Sequence, residues 1–176
     1  MFESKKVLAV IPARGGSKGL PRKNILKVKG KPLIWYSYEA ALKSAFIDLT
    51  ILSTDDDEII EEAKRFEIYA PFKRPAELAS DNAETIDTIL HACSCFPEYK
   101  YVVLLQPTSP MRLTTDIDEC FDLLHSTQAP ACVTVCEPRH KPEWMFKVTE
   151  NFEVSPLIKS DKTPARRQDL TQVHAL

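Results

Sequence analysis

The stretch VIPARGGSKGLPRKN, residues 10–24, decides how this chain is read. An apolar run, VLAVI at 7–11, leads into it. Then come Gly15, Gly16 and Gly19, interleaved with Arg14, Lys18, Arg22 and Lys23. A short apolar run that stops at a turn signal reads as a strand covered on both faces, as in a parallel sheet. Glycines give the following loop close backbone approach and access to positive φ. Successive backbone N–H groups in such a turn form an anion nest, and the Arg and Lys side chains can pair with phosphate oxygens. A surface turn with solvated charges is the plain alternative. The position directly after the first strand favours the anion. Neither G-x4-G-K-[ST] nor G-x-G-x-x-G is present.

Outward from this loop, strand and helix signals alternate. Residues 33–45 follow helical spacing, with Ile34, Tyr38, Ala41, Leu42 and Ala45 on one side and Pro32 placed to open the helix. Residues 49–52 read as a strand, and Ile59, Ile60, Ala63 and Phe66 as a helix. A loop at 70–81 holds Pro71 and Pro75, and Ile86, Ile89, Leu90 and Cys93 mark another helix. Residues 101–105 give a clear strand, Ile117, Cys120, Phe121 and Leu124 a fourth helix, and 131–135 a further strand. This pattern predicts an α/β fold of three layers, with a mainly parallel sheet between helices. Ligands of such sheets bind beyond the carboxyl ends of the strands. The loops at 12–24, 53–57 and 106–110 are therefore expected to face one cleft.

Composition narrows the ligand. The chain has 176 residues, 44% hydrophobic and 27% charged, enough for a globular core. A net charge of −2 argues against a general nucleic-acid binder, so the basic loop is a local feature suited to a small anion. No apolar run approaches the roughly 18 residues of a membrane span, and no signal peptide is visible. The five cysteines, Cys93, Cys95, Cys120, Cys132 and Cys136, lack zinc-type pairing and are odd in number. They are expected to be reduced thiols of a cytoplasmic protein.

Four motifs in order, VIPARGGSKGLPRKN, STDD at 53–56, RPAELASD at 74–81 and LLQPTSPMR at 104–112, resemble the acylneuraminate cytidylyltransferase family, the CMP-sialic acid synthetases. The enzymes acting on the eight-carbon acid Kdo resemble the chain in the PAR start alone, which favours the nine-carbon branch. The resemblance implies a Rossmann-like nucleotidyltransferase fold that joins CTP to a nonulosonic acid, giving a CMP-sugar and pyrophosphate. It implies that Arg14, Lys18 and Lys23 hold the triphosphate and carry catalysis. It places Ala13, Gly15, Gly16, Ser17 and Asn24 at the nucleotide, and Arg74, Ser80 and Thr85 at cytidine. Gln106, Thr108, Ser109 and Arg167 fall to the sugar acid. Magnesium is the implied cofactor. A non-catalytic nucleotide-binding remnant is one alternative, and a glycosyltransferase using residues 55–57 is a weaker one.

Asp55-Asp56-Asp57 has two readings, a metal site or a helix start with Thr54 or Asp55 as N-cap; first-turn acids favour the second. Asp116-Ile117-Asp118 reads as a helix start with Thr115 and Asp118 as a capping box. His140 is a candidate near the sugar, while His91 and His125 lie on predicted helices. WMFKVTENFEV, at 144–154, reads as a hairpin around Glu150-Asn151. The resemblance gives the 137–170 segment to a homodimer contact, with Trp144, Phe146 and Phe152 buried and Arg166 or Arg167 reaching the partner's cleft. The expected organisation is a nucleotide core at 1–136, this extension, and an altered tail at 171–176. The family's Asp-x-Asp for magnesium has no counterpart in the sequence, from which low turnover is expected.

Overall fold

The computed structural model describes residues 1–17, 19–138 and 140–158. The chain divides into two compact units, Met1–Pro130 and Ala131–Leu176.

In the first unit, β1 (Lys6–Pro12) ends at the basic loop, and a small hairpin follows, β2 (Lys27–Val28) with β3 (Lys31–Pro32). Lys29 and Gly30 both have positive φ there, 48° and 80°, the backbone of a two-residue turn matched to strand twist. Then come α1 (Leu33–Leu42), β4 (Leu49–Ser53), α2 (Asp57–Arg65), α3 (Thr85–Cys95), β5 (Tyr99–Leu104) and α4 (Thr114–Thr127). Pro32 is the N-cap of α1, one position before the helix. The sheet runs β4-β1-β5 and both pairings are parallel.

β1 is the centre because both of its faces are apolar. Val7, Ala9 and Ile11 pack on one side with Ile34 and Ala41 of α1, Ile59 and Ala63 of α2, and Ile117 and Phe121 of α4. Leu8 and Val10 pack on the other with Ile51, Ile89 and Ala92, the last two from α3. The three predicted layers are therefore present, with α3 alone on its face. Burying each such side chain stabilises by about 1.5–3 kcal/mol before chain entropy is counted.

In the second unit, β6 (Phe146–Val148) and β7 (Val154–Pro156) form the predicted hairpin, paired Phe146↔Pro156 and Val148↔Val154. The turn closes through Thr149 N–H to the Glu153 carbonyl, 3.0 Å, with Phe152 in the left-handed region at φ 61°. The strand expected at 131–135 is absent. Those residues are irregular, and Val133 and Val135 are 66% and 51% exposed. Alternating apolar residues suit a strand, but a strand exists only where a neighbour completes its ladder, and none pairs with them among the described residues.

Candidate nucleotide site

The carboxyl ends of β1, β4 and β5 bring the three unusual loops together as expected. A cleft of about 580 Å³ lies beyond the ends of β1 and β5. Arg14, Ser17, Lys23 and Asn24 line it from the first loop, Arg74 and Ser80 from the long loop, and Gln106 and Thr108 from the third. Glu84, Thr85 and Thr88, at the amino end of α3, complete the wall, where the helix dipole favours negative charge.

Several expected site residues stand elsewhere. Ala13 is fully buried and gives its N–H to the Ser53 carbonyl, 2.9 Å. Gly15, Gly16 and Ser109 are not among the lining residues. Lys18, Arg166 and Arg167 lie outside the described residues, as does His174.

The glycine loop is held by carboxylates rather than left as an open nest. Gly15 N–H donates to Asp55 Oδ1 at 3.1 Å, and Ser17 N–H to the Gly15 carbonyl at 2.9 Å. Two of the N–H groups expected for an anion are thus already used. Positive φ falls on Arg22, 57°, and not on Gly15 or Gly16. Arg22 is fixed there by ion pairs to Asp56 and Glu58. Gly15 is required for a different reason. A Cβ on it would stand 2.3 Å from Asp56 Oδ2 and 2.8 Å from Asp56 Cβ. Asn24, buried, anchors the loop by donating from Nδ2 to the Arg14 carbonyl, 3.0 Å.

The acidic run is a helix start and a bracket for this loop. Its N-cap is Asp56, which accepts from Ile59 N–H at 3.0 Å, one or two positions later than expected. Thr54 Oγ1 in turn accepts from Asp56 N–H at 3.2 Å, and Asp57 pairs with Lys73 at 2.6 Å. All three carboxylates are engaged with donors or cations. No group of three His, Cys, Asp or Glu among the described residues is placed to hold a metal ion. The residues near the cleft therefore do not fit a resident magnesium. The second acidic pair is also displaced. Asp116 caps Leu113 N–H at 2.8 Å, while Asp118 accepts from Ser44 Oγ across to the end of α1.

Arg74 is the least ordinary group in the cleft. It is 5% exposed, and its Nη1 donates to Thr88 Oγ1 at 2.9 Å. Nη2 lies 3.7 Å from Asp55 Oδ1, and neither Nε nor Nη2 has a hydrogen-bond partner. Burial pushes its guanidinium below the usual arginine range, with Asp55 opposing and Arg14 adding to the shift. Arginine stays charged at neutral pH even so.

Arg112 and Ser37 carry no sequence signal for a role, yet they hold the third loop. Ser37, fully buried on α1, donates from Oγ to the Gln106 carbonyl at 3.3 Å. Arg112 donates to that same carbonyl at 3.3 Å and to Ser37 Oγ at 3.2 Å. Three groups, counting Ser109 N–H, thus converge on one carbonyl and fix the Gln106 backbone at the cleft edge.

No helix among the described residues is long and apolar enough to cross a membrane. The chain is 35% identical over 170 residues to an N-acylneuraminate cytidylyltransferase of Escherichia coli, covering 96% of this chain and 40% of that protein. It is 35% identical over 173 residues to a pseudaminic acid cytidylyltransferase of Campylobacter jejuni, covering 96% of this chain and 74% of that one. Among solved structures, a CMP:2-keto-3-deoxy-manno-octonic acid synthetase complexed with CTP superposes with a TM-score of 0.63 at 29% identity, over 71% of this chain and 49% of that one. Likeness to that branch therefore extends well beyond the PAR start. The cytidylyltransferase family model matches residues 8–169, and the chain belongs to that family of nucleotidyltransferases.

Proposed function

We propose that the chain forms the nucleotide site of a cytidylyltransferase that activates a sialic-type nonulosonic acid with CTP, giving the CMP-sugar and pyrophosphate. The observation that carries this is Arg74, a nearly sealed cation with two unused nitrogens on the wall of the cleft. Burying donors without partners is costly, and a ligand that brings acceptors removes the cost. Cytosine presents two neighbouring acceptors, its carbonyl oxygen and ring nitrogen. The pairing edge of adenine offers an acceptor beside an amino group. CTP is therefore expected to bind more tightly than ATP. Calorimetric titration of both nucleotides tests this, and equal affinities would overturn the assignment.

The chemistry asks for position and charge. The sugar acid's anomeric hydroxyl oxygen bonds to the α-phosphorus, the bond to the bridging oxygen of pyrophosphate breaks, and the hydroxyl proton is lost. Alignment and neutralisation carry such a transfer more than covalent catalysis does. Arg14 and Lys23 flank the cleft where the β- and γ-phosphates would lie, with Lys18 assigned beside them by resemblance. Gln106 and Thr108 can donate to and accept from a polyol acid. Magnesium accompanies CTP as its counter-ion in this proposal, and no step is assigned to a metal held by the chain. The glycosyltransferase alternative loses its support, since residues 55–57 are a cap and a bracket. The non-catalytic alternative is separated by pyrophosphate release: CTP binding with no release on adding sugar acid would favour it.

Arg14→Ala is expected to weaken CTP by about 1.5–3 kcal/mol, one charge-assisted contact, and cytidine far less. An equal loss for both ligands would move Arg14 away from the phosphates. Assembly is a further part of the proposal. Trp144, Phe146 and Phe152 are 42%, 54% and 85% exposed, and a two-stranded hairpin is marginal without a covering surface. A homodimer through this segment is expected. Light scattering at micromolar concentration should show twice 19.9 kDa, and Phe146→Asp should return it to one chain. A wild-type mass of one chain would reject the dimer.

A further inference from the structure

The cleft already holds a competitor for its ligand. Arg14 Nη1 lies 3.2 Å from Asp81 Oδ1 and 3.1 Å from the Ser80 carbonyl oxygen. These partners are 66 and 67 residues away along the chain, on the loop before α3, so the contact ties two separate loops of the cleft together. Both side chains are open to water, 37% and 50% exposed. An exposed ion pair of this kind contributes little stability. Its cost to a ligand is more direct, because it occupies the cation that the triphosphate needs.

We infer that Asp81 is a specificity-determining residue: its carboxylate takes the place of a phosphate on Arg14, so a nucleotide has to bring terminal phosphates to displace it. The inference rests on the nucleotide reading above. A triphosphate carries more charge than one carboxylate and can replace it on Arg14 with stronger charge-assisted bonds. Cytidine has no group to make that exchange, so it leaves the Arg14–Asp81 contact closed. The device discriminates by phosphate count while Arg74 and the start of α3 face the rest of the nucleotide. It also predicts movement, since displacing Asp81 releases the Ser80 carbonyl and frees the loop that Ser80 shares with Glu84 and Thr85.

Asp81→Asn tests this, since it keeps the shape and removes the charge. Calorimetry should show CTP affinity rising by about two- to fivefold, the scale of an exposed ion pair, with cytidine affinity unchanged. Asp81→Ser should repeat the result. The same change in an Arg14→Ala background should give no gain, because the contact is already gone. An equal gain in both backgrounds would mean general repulsion of the triphosphate by Asp81 and would overturn the inference. Unchanged or weaker CTP binding by Asp81→Asn would also overturn it, while leaving the nucleotide reading intact if the wild type binds CTP. A wild type that binds no CTP would overturn both. Matching thermal melts would establish that all variants fold alike.

Discussion

Replacing Arg74 with methionine is expected to cut CTP affinity by about a hundredfold or more while leaving the folded state as stable as before, within about 1 kcal/mol. The two halves of this expectation have one cause. Arg74 is 5% exposed, and it meets a single hydrogen-bond partner, Thr88, with Asp55 beyond hydrogen-bond range. In the empty cleft its charge is poorly compensated, so burial opposes it. Methionine of similar length fills much of the space without that penalty, and apolar replacement of buried charge is often neutral or stabilising. The loss is limited to the Thr88 contact, and Thr88 can turn its hydroxyl toward other acceptors. In the complex the balance reverses. Two unused nitrogens lose their acceptors, each charged contact contributing about 1.5–3 kcal/mol, which sums to about 3 kcal/mol or more. Thermal melting and CTP titration on one preparation separate the two. A melt lowered by many degrees would show Arg74 to be structural, and unchanged CTP affinity would remove it from the site.

The sequence patterns that proved readable are those with a period. β1, β4 and β5 are apolar runs, and α1 to α4 carry apolar residues at helical spacing, because each must bury one stripe or face. The loops that converge on the cleft were readable for a related reason: parallel strands deliver their carboxyl ends to one side. Residues 131–135 have the same local alternation as a strand but no ladder partner, and pairing is not a local property. Caps moved by one or two positions, to Asp56 and Asp116, because Ser, Thr and Asp in succession offer several equivalent acceptors and the surrounding packing selects among them. Within the site, Arg14, Lys23, Asn24 and Arg74 stand out by type and place. Asp55 and Asp81 do not, because their meaning depends on facing Gly15, Arg74 and Arg14 from distant parts of the chain. Arg112 was read as the end of a motif, and its role in fixing the Gln106 carbonyl appears only when α1 is packed beneath it.

The two adjacent glycines make the sharpest contrast available in this chain. Gly16 has no atom within 4 Å of where a Cβ would stand, and its φ is not positive. Gly16→Ala is therefore expected to change stability by no more than about 0.5 kcal/mol, as for an ordinary surface substitution. Gly15→Ala places a methyl 2.3 Å from Asp56 Oδ2 and 2.8 Å from Asp56 Cβ. The Oδ2 atom belongs to a short side chain, and the Cβ cannot move without the backbone at the start of α2. Asp56 is also committed twice, to Ile59 N–H and to Arg22. Either the cap of α2 breaks or the glycine loop lifts away and loses its bond to Asp55. Overpacking of this kind costs about 1–3 kcal/mol, and a lost cap about 0.5–2 kcal/mol. For a chain of this size each kcal/mol lowers the melting temperature by about 2–4 °C. Lifting the loop also displaces Arg14, whose carbonyl is tied to Asn24 and whose side chain faces the cleft. CTP affinity is expected to fall by about tenfold or more, one contact's worth, in Gly15→Ala and to hold in Gly16→Ala. Equal melting temperatures and equal CTP affinities for the two alanine variants would show that the close approach of Gly15 to Asp56 governs neither the helix start nor the nucleotide loop.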